Sequence, residues 1–267
     1  MKVSSFHHFS RQTLVRAVVA IACVLPLQVL AQVVPEAPVL VSIDGVPVPA
    51  APTTPTPPAT GGTIPLSWND PMFASVTNSG PLVLASGQSR SNLSIAEQSG
   101  QASIICNGSC NLDHIRISSR EGPRCVSGNI NISNMWIEAI GTGDDHADGL
   151  QCYGPGSTGA VTSKNVTFKA GGATNAAYFS ADNWKGTHTF ENVLFWGGNY
   201  GVFIPGDGGS TASFKNAYFV KDSFTYGATR LDETIDGHKL QIILWENVHW
   251  VTIVNGKMVI GAAIPKP

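Results

Sequence analysis

The chain has 267 residues, with 16 basic and 18 acidic side chains, 43% apolar residues, 28 glycines, 17 prolines and five cysteines. The slightly acidic balance offers no basic face, which excludes a nucleic-acid partner, and gives no general electrostatic pull on a polyanion. An acidic ligand would need local cations or a bound metal.

The first predicted element is a targeting segment. Lys2, Arg11 and Arg16 precede an apolar run from Ala17 to Leu30, and Val29-Leu30-Ala31 offers small residues for cleavage. This pattern predicts a secretory signal peptide over residues 1–31 and a secreted or periplasmic product. Pro26 and Gln28 interrupt the run, and it is short for a bilayer span, so no membrane association is expected after cleavage. The remainder carries 13 basic and 18 acidic side chains, a net charge near −5. Residues 32–63 include VPVPAAPTTPTPPATGG, a composition that cannot bury a core and predicts an extended linker. Trp68 marks the return of globular composition, and a single domain is expected over residues 64–267.

Four cysteines follow the signal segment: Cys106, Cys110, Cys125 and Cys152. An even number in an exported chain suggests disulfides, and three pairings are possible. Cys106 with Cys110 would close one small loop, leaving Cys125 with Cys152. Zinc is a poor fit, because the Cys-x3-Cys spacing lacks a second close ligand pair.

A four-residue frame recurs through the domain: Asn134-Met-Trp-Ile, Asn165-Val-Thr-Phe, Asn192-Val-Leu-Phe, Asn216-Ala-Tyr-Phe and Asn247-Val-His-Trp. The residues one and three after Asn are apolar each time, and the one between varies. That alternation of period two predicts a strand with a constant buried face. A second short strand follows in several units, as in Gly149-Leu-Gln-Cys152, Ala176-Ala-Tyr-Phe179 and Gly201-Val-Phe-Ile204. No unit of this size buries its own apolar face, so successive units must stack. The expectation is an all-β domain, a single-stranded right-handed parallel β-helix of roughly eight coils and roughly 40 Å in length at about 4.8 Å per coil. Asparagine amides on adjacent coils would hydrogen-bond along the stack. An antiparallel sandwich has no need of the same Asn frame in each unit, and a propeller needs about forty residues per blade.

The segment GTGDDHADGLQCYG, from Gly141 to Gly154, concentrates three aspartates and a histidine just before a short strand. Aligning Leu150 with Ala177 and Val202 places Gln151, Tyr178 and Phe203 on one outward strip. Asp144, Asp145, His146 and Asp148 would edge that strip, and Trp184 and Lys185 would extend it from a neighbouring turn. Rings beside carboxylates suit a sugar-binding cleft, because sugar C–H faces pack on rings while hydroxyls need polar partners. Arg116, Arg120 and Arg124 form a basic group expected on a solvated face.

The Asn-Val-x-Phe coils and the DDHADGLQCYG segment resemble the pectate-lyase-like superfamily of β-helix proteins. The architecture of that resemblance covers most of residues 90–255, and its motif about ten residues. It implies an exported enzyme acting on a uronate-containing polysaccharide, with a calcium ion bridging substrate carboxylates to protein aspartates. In β-elimination a base takes the proton α to the uronate carboxylate while a cation neutralises that carboxylate. His146 or Lys185 would be the base, and Asp144, Asp145 and Asp148 the calcium ligands. Two other readings stay open. A glycoside hydrolase would use Asp145 and Asp148 as its paired carboxylates. A non-catalytic glycan-binding or surface module would use the acidic cluster only as turn residues. A monomer is expected.

Overall fold

The computed structural model describes residues 63–154, 156–181 and 184–267, all within one unit of the chain, Thr56–Pro267. The expected signal peptide, residues 1–31, and all but residue 63 of the expected linker lie outside the described residues. Among the described residues there is no α-helix, and so none long and apolar enough to cross a membrane.

The strands, in chain order, begin with β1 (Thr77–Ser79), β2 (Leu82–Ala85), β3 (Gln88–Ala102), β4 (Ile104–Asn107), β5 (Cys110–Glu121) and β6 (Arg124–Ser127). The middle of the domain holds β7 (Ile130–Gly141), β8 (Gln151–Cys152), β9 (Thr158–Gly172), β10 (Ala176–Ser180), β11 (Lys185–Gly197) and β12 (Tyr200–Phe203). The last are β13 (Thr211–Val220), β14 (Gly227–Arg230), β15 (Thr234–Ile235), β16 (His238–Lys239), β17 (Gln241–Val254) and β18 (Lys257–Ala263). From β1 to β14 successive strands alternate between two parallel sheets. The larger runs β1-β3-β5-β7-β9-β11-β13-β17 and ends on β18, which is antiparallel to β17. The smaller runs β2-β4-β6-β8-β10-β12-β14. Strands β15 and β16 form a separate hairpin. The domain is therefore all-β with long parallel sheets, a solenoid-like architecture.

The Asn frame sets the geometry of the larger sheet. Asn134, Asn165, Asn192, Asn216 and Asn247 all adopt φ between 52° and 56°, the left-handed region that asparagine tolerates better than other side chains. Each places a bend within its long strand. Their amides bond along the stack: Asn165 Nδ2 donates to Asn134 Oδ1 at 2.9 Å, Asn192 Nδ2 to Asn165 Oδ1 at 2.8 Å, and Asn247 Nδ2 to Asn216 Oδ1 at 2.7 Å. His114 takes the same left-handed conformation one strand before Asn134.

The residues three after each Asn form an inward column in which Ile137, Phe168, Phe195, Phe219 and Trp250 pair in register. Phe168 stacks on Phe195 at 5.5 Å, and Phe195 on Phe219 at 4.9 Å. The residues two after Asn point outward, yet Thr167 and Leu194 are fully buried and Tyr218 nearly so. The chain covers them itself. Ile64 packs with Leu194, Tyr218, Val220 and Val251, Thr167 Oγ1 donates to the Pro65 carbonyl, and the Arg116 guanidinium lies 4.4 Å from the Trp68 ring centre. This opening segment forms a strap across the outer face of the larger sheet.

Cys106 and Cys110 form a disulfide. The second expected pairing is corrected: Cys125 and Cys152 are free thiols. They are register partners on β6 and β8, both inward and buried. The hydrogen bond with the neighbouring Cys152 thiol first, and then burial, hold the Cys125 thiol well above its ordinary pKa.

Candidate functional site

The smaller sheet carries the site. Its outward register column is Arg124, Gln151, Phe179, Phe203 and Arg230, one residue from each of β6, β8, β10, β12 and β14. Of the expected strip, Gln151 and Phe203 lie in this column, and the outward placement of Tyr178 is corrected. Tyr178 pairs with Val202, points inward and is fully buried, with its hydroxyl 2.7 Å from His188 Nδ1. The cause is one extra residue after the turn. The offset between coils is 27 residues at the bridge Ala147–Thr174 but 28 at Gln151–Phe179. A slip of one residue moves a strand's whole outward set to the other face.

The acidic turn, residues 142–150, joins β7 in the larger sheet to β8 in the smaller. His146 is exposed and its Nδ1 lies 3.3 Å from Asn175 Nδ2. It borders two cavities on the smaller sheet. One, of about 340 Å³, is lined by Asn175, Phe179, Tyr200, Phe203, Tyr226 and Arg230 among others. The other, of about 260 Å³, is lined by Arg120, Glu121, Arg124, Gln151 and Tyr153. Together they form one groove along the register column, with His146 at its middle.

The three aspartates have separate roles. Asp144 is exposed. Asp145 accepts from the Thr142 backbone N–H at 2.9 Å and pairs with the Arg120 guanidinium. The Thr142 N–H first, and then the Arg120 charge, hold its carboxyl below the usual carboxylate range. Asp148 is fully buried, and its Oδ1 accepts from the Ala176 N–H at 2.9 Å while its Oδ2 has no protein partner. Burial pushes the Asp148 carboxyl well up and the nearby Glu121 charge adds to this, against the opposing pull of the Ala176 N–H and Arg124. The three carboxylates do not converge, and among the described residues no group of three or more His, Cys, Asp or Glu side chains is arranged to hold a metal ion. The residues in place do not make up the expected calcium ligand set, and no step below is routed through a metal.

The arginines are not a solvated face. Arg124 forks onto the buried Glu121 with Nε and Nη2, at 2.7 to 3.0 Å, and lies 5.0 Å from the Tyr153 ring centre. Arg230 stacks over Phe203 at 4.4 Å and contacts Glu233 at 3.2 Å. Phe179 stacks on Phe203 at 4.6 Å, and Tyr226, 71% exposed, stands beside Tyr200. Gln151 is only 8% exposed, and its Oε1 receives no hydrogen bond from the protein.

Two expected site residues lie elsewhere. Lys185 opens β11, reached as the chain passes from β10 of the smaller sheet to the larger, whereas the acidic turn lies where it passes from the larger sheet to the smaller. Trp184 turns into the core and is fully buried. Lys185 lines a different cavity, with Asp207, Asp236 and His238. The residues that the sequence left out are Phe179, Tyr200, Tyr226 and Glu121. The phenylalanines of AAYFS and YGVFI, which align with each other, carried the one available signal.

No protein-family model, no curated protein and no solved structure matches the chain.

Proposed function

We propose that the chain is an exported carbohydrate-active enzyme that cleaves a uronate-containing polysaccharide by β-elimination, on a right-handed parallel β-helix of roughly eight coils. The eight parallel strands of the larger sheet support that coil count, and the pectate-lyase-like resemblance of the acidic turn supports the reaction class. The observation that carries the reading is the groove: two arginines, two stacked phenylalanines and His146 share one open face.

In this reading Arg124 meets the uronate carboxylate through Nη1, the amine that Glu121 leaves unused. Neutralising the carboxylate acidifies the α-proton, and the exposed His146 imidazole removes it. The electron pair forms the C=C bond as the glycosidic C–O bond breaks, and the leaving oxygen takes a proton from His146 or water. Phe179 and Phe203 take the C–H faces of the sugars. Hydrolysis through Asp145 and Asp148 is less well supported, because Asp148 is sealed from any substrate.

The purified protein is to be incubated with acidic and neutral glycans. Ultraviolet absorbance of an unsaturated uronate is expected, and its loss in Arg124→Gln. New reducing ends without that absorbance would move the assignment to hydrolysis. Binding without either product would make the chain a glycan-binding module.

A further inference from the structure

The charges along the groove are unevenly spaced. The column reads Arg124, Gln151, Phe179, Phe203, Arg230, with cations at its two ends and none between. Four register steps separate the arginines, roughly 19 Å at about 4.8 Å per step. The middle is apolar rings, with the amides of Asn175 and Asn199 beside them. Both arginines are held in place by a glutamate three residues away, Glu121 and Glu233.

Resting on the uronate reading above, we infer that the substrate is an acidic heteropolysaccharide whose charged sugars are separated by neutral ones. A homouronan brings a carboxylate with every sugar. Those at the centre would lie against Phe179, two register steps from either arginine, and desolvating an unpaired carboxylate is costly. A neutral sugar places its C–H faces on Phe179 and Phe203 at no such cost and satisfies its hydroxyls with Asn175 and Asn199. Charges spaced by several neutral sugars fall on Arg124 and Arg230 together.

The test compares deacylated gellan, a linear chain with one glucuronate in each repeat, with polygalacturonate. Titration calorimetry and formation of the unsaturated product are measured for the wild type and for Arg230→Gln, a surface change expected to leave the melting temperature unmoved. Gellan is expected to bind at least about tenfold more tightly than polygalacturonate, and Arg230→Gln to bring it down to the polygalacturonate level. Polygalacturonate binding as well or better would overturn the spacing inference and leave the uronate reading standing. If both polymers are neither bound nor cleaved, the uronate reading fails and the inference fails with it.

Discussion

The two sheets use their outward faces differently. On the larger sheet the outward column is covered by the strap from Ile64 to Trp68, and the exposed positions beyond it carry paired charges, Lys164 with Glu191 and Lys215 with Glu246. On the smaller sheet the outward column is open, aromatic and arginine-bearing. The Asn frame belongs to the first sheet, while the second shifts by a residue at β10.

Several substitutions sharpen that contrast. The largest effect is expected from His146→Ala, which should lower turnover by about 10²–10⁴-fold with little change in the unfolding midpoint. Unchanged turnover would remove His146 from the chemistry. Next, Phe195→Ala in the inward stack should cost about 3–5 kcal/mol, lowering the melting temperature by roughly 2–4 °C for each kcal/mol. Phe203→Ala, on the half-exposed groove face, should cost far less and weaken glycan binding instead. Equal thermal losses in the two variants would erase the distinction between the faces. Asn165→Ala combines a left-handed φ of 55° with loss of two ladder bonds and should cost about 2–3 kcal/mol. Asn165→Gly keeps the conformation and should recover part of that in urea unfolding.

The smallest effect concerns Asp148. Its folded pKa is raised above the ordinary 3.8, so the folded state holds a proton that the unfolded chain releases. Its stabilising contribution is complete below about pH 4 and declines as pH rises towards the raised value. Asp148→Asn, neutral throughout, should match the wild type near pH 4 and exceed it at pH 8 in urea unfolding, with turnover retained. A variant less stable than the wild type at pH 8 would show that the carboxylate is ionised and paired in the fold.

The Asn frame made the larger sheet legible, because its conformational demand, amide ladder and inward column all repeat at the same positions. The groove was legible only in part. His146 and Gln151 were found through local composition, and Phe203 through its strand pattern. Tyr178 was misplaced because an inserted residue leaves no mark in a pattern of period two, where AAYFS fits either face equally well. Trp184 was misplaced because residues near turns were taken to be exposed, whereas its indole is fully buried in the core. Arg124 and Arg230 lie more than a hundred residues apart in the chain, and only stacking brings them onto one line.

The strap has a consequence for how the domain comes apart. A rod of repeats in which each touches only its neighbours can fray from either end, because each loss is local. Here Ile64 is wedged among side chains of β11, β13 and β17, while Trp68 is held by Arg116 of β5. Strand β17 is thereby latched to the segment of residues 64–68, so peeling it from the sheet also strips a contact from that segment. Melting should be a single sharp event, and deleting residues 63–68 should split it into successive ones.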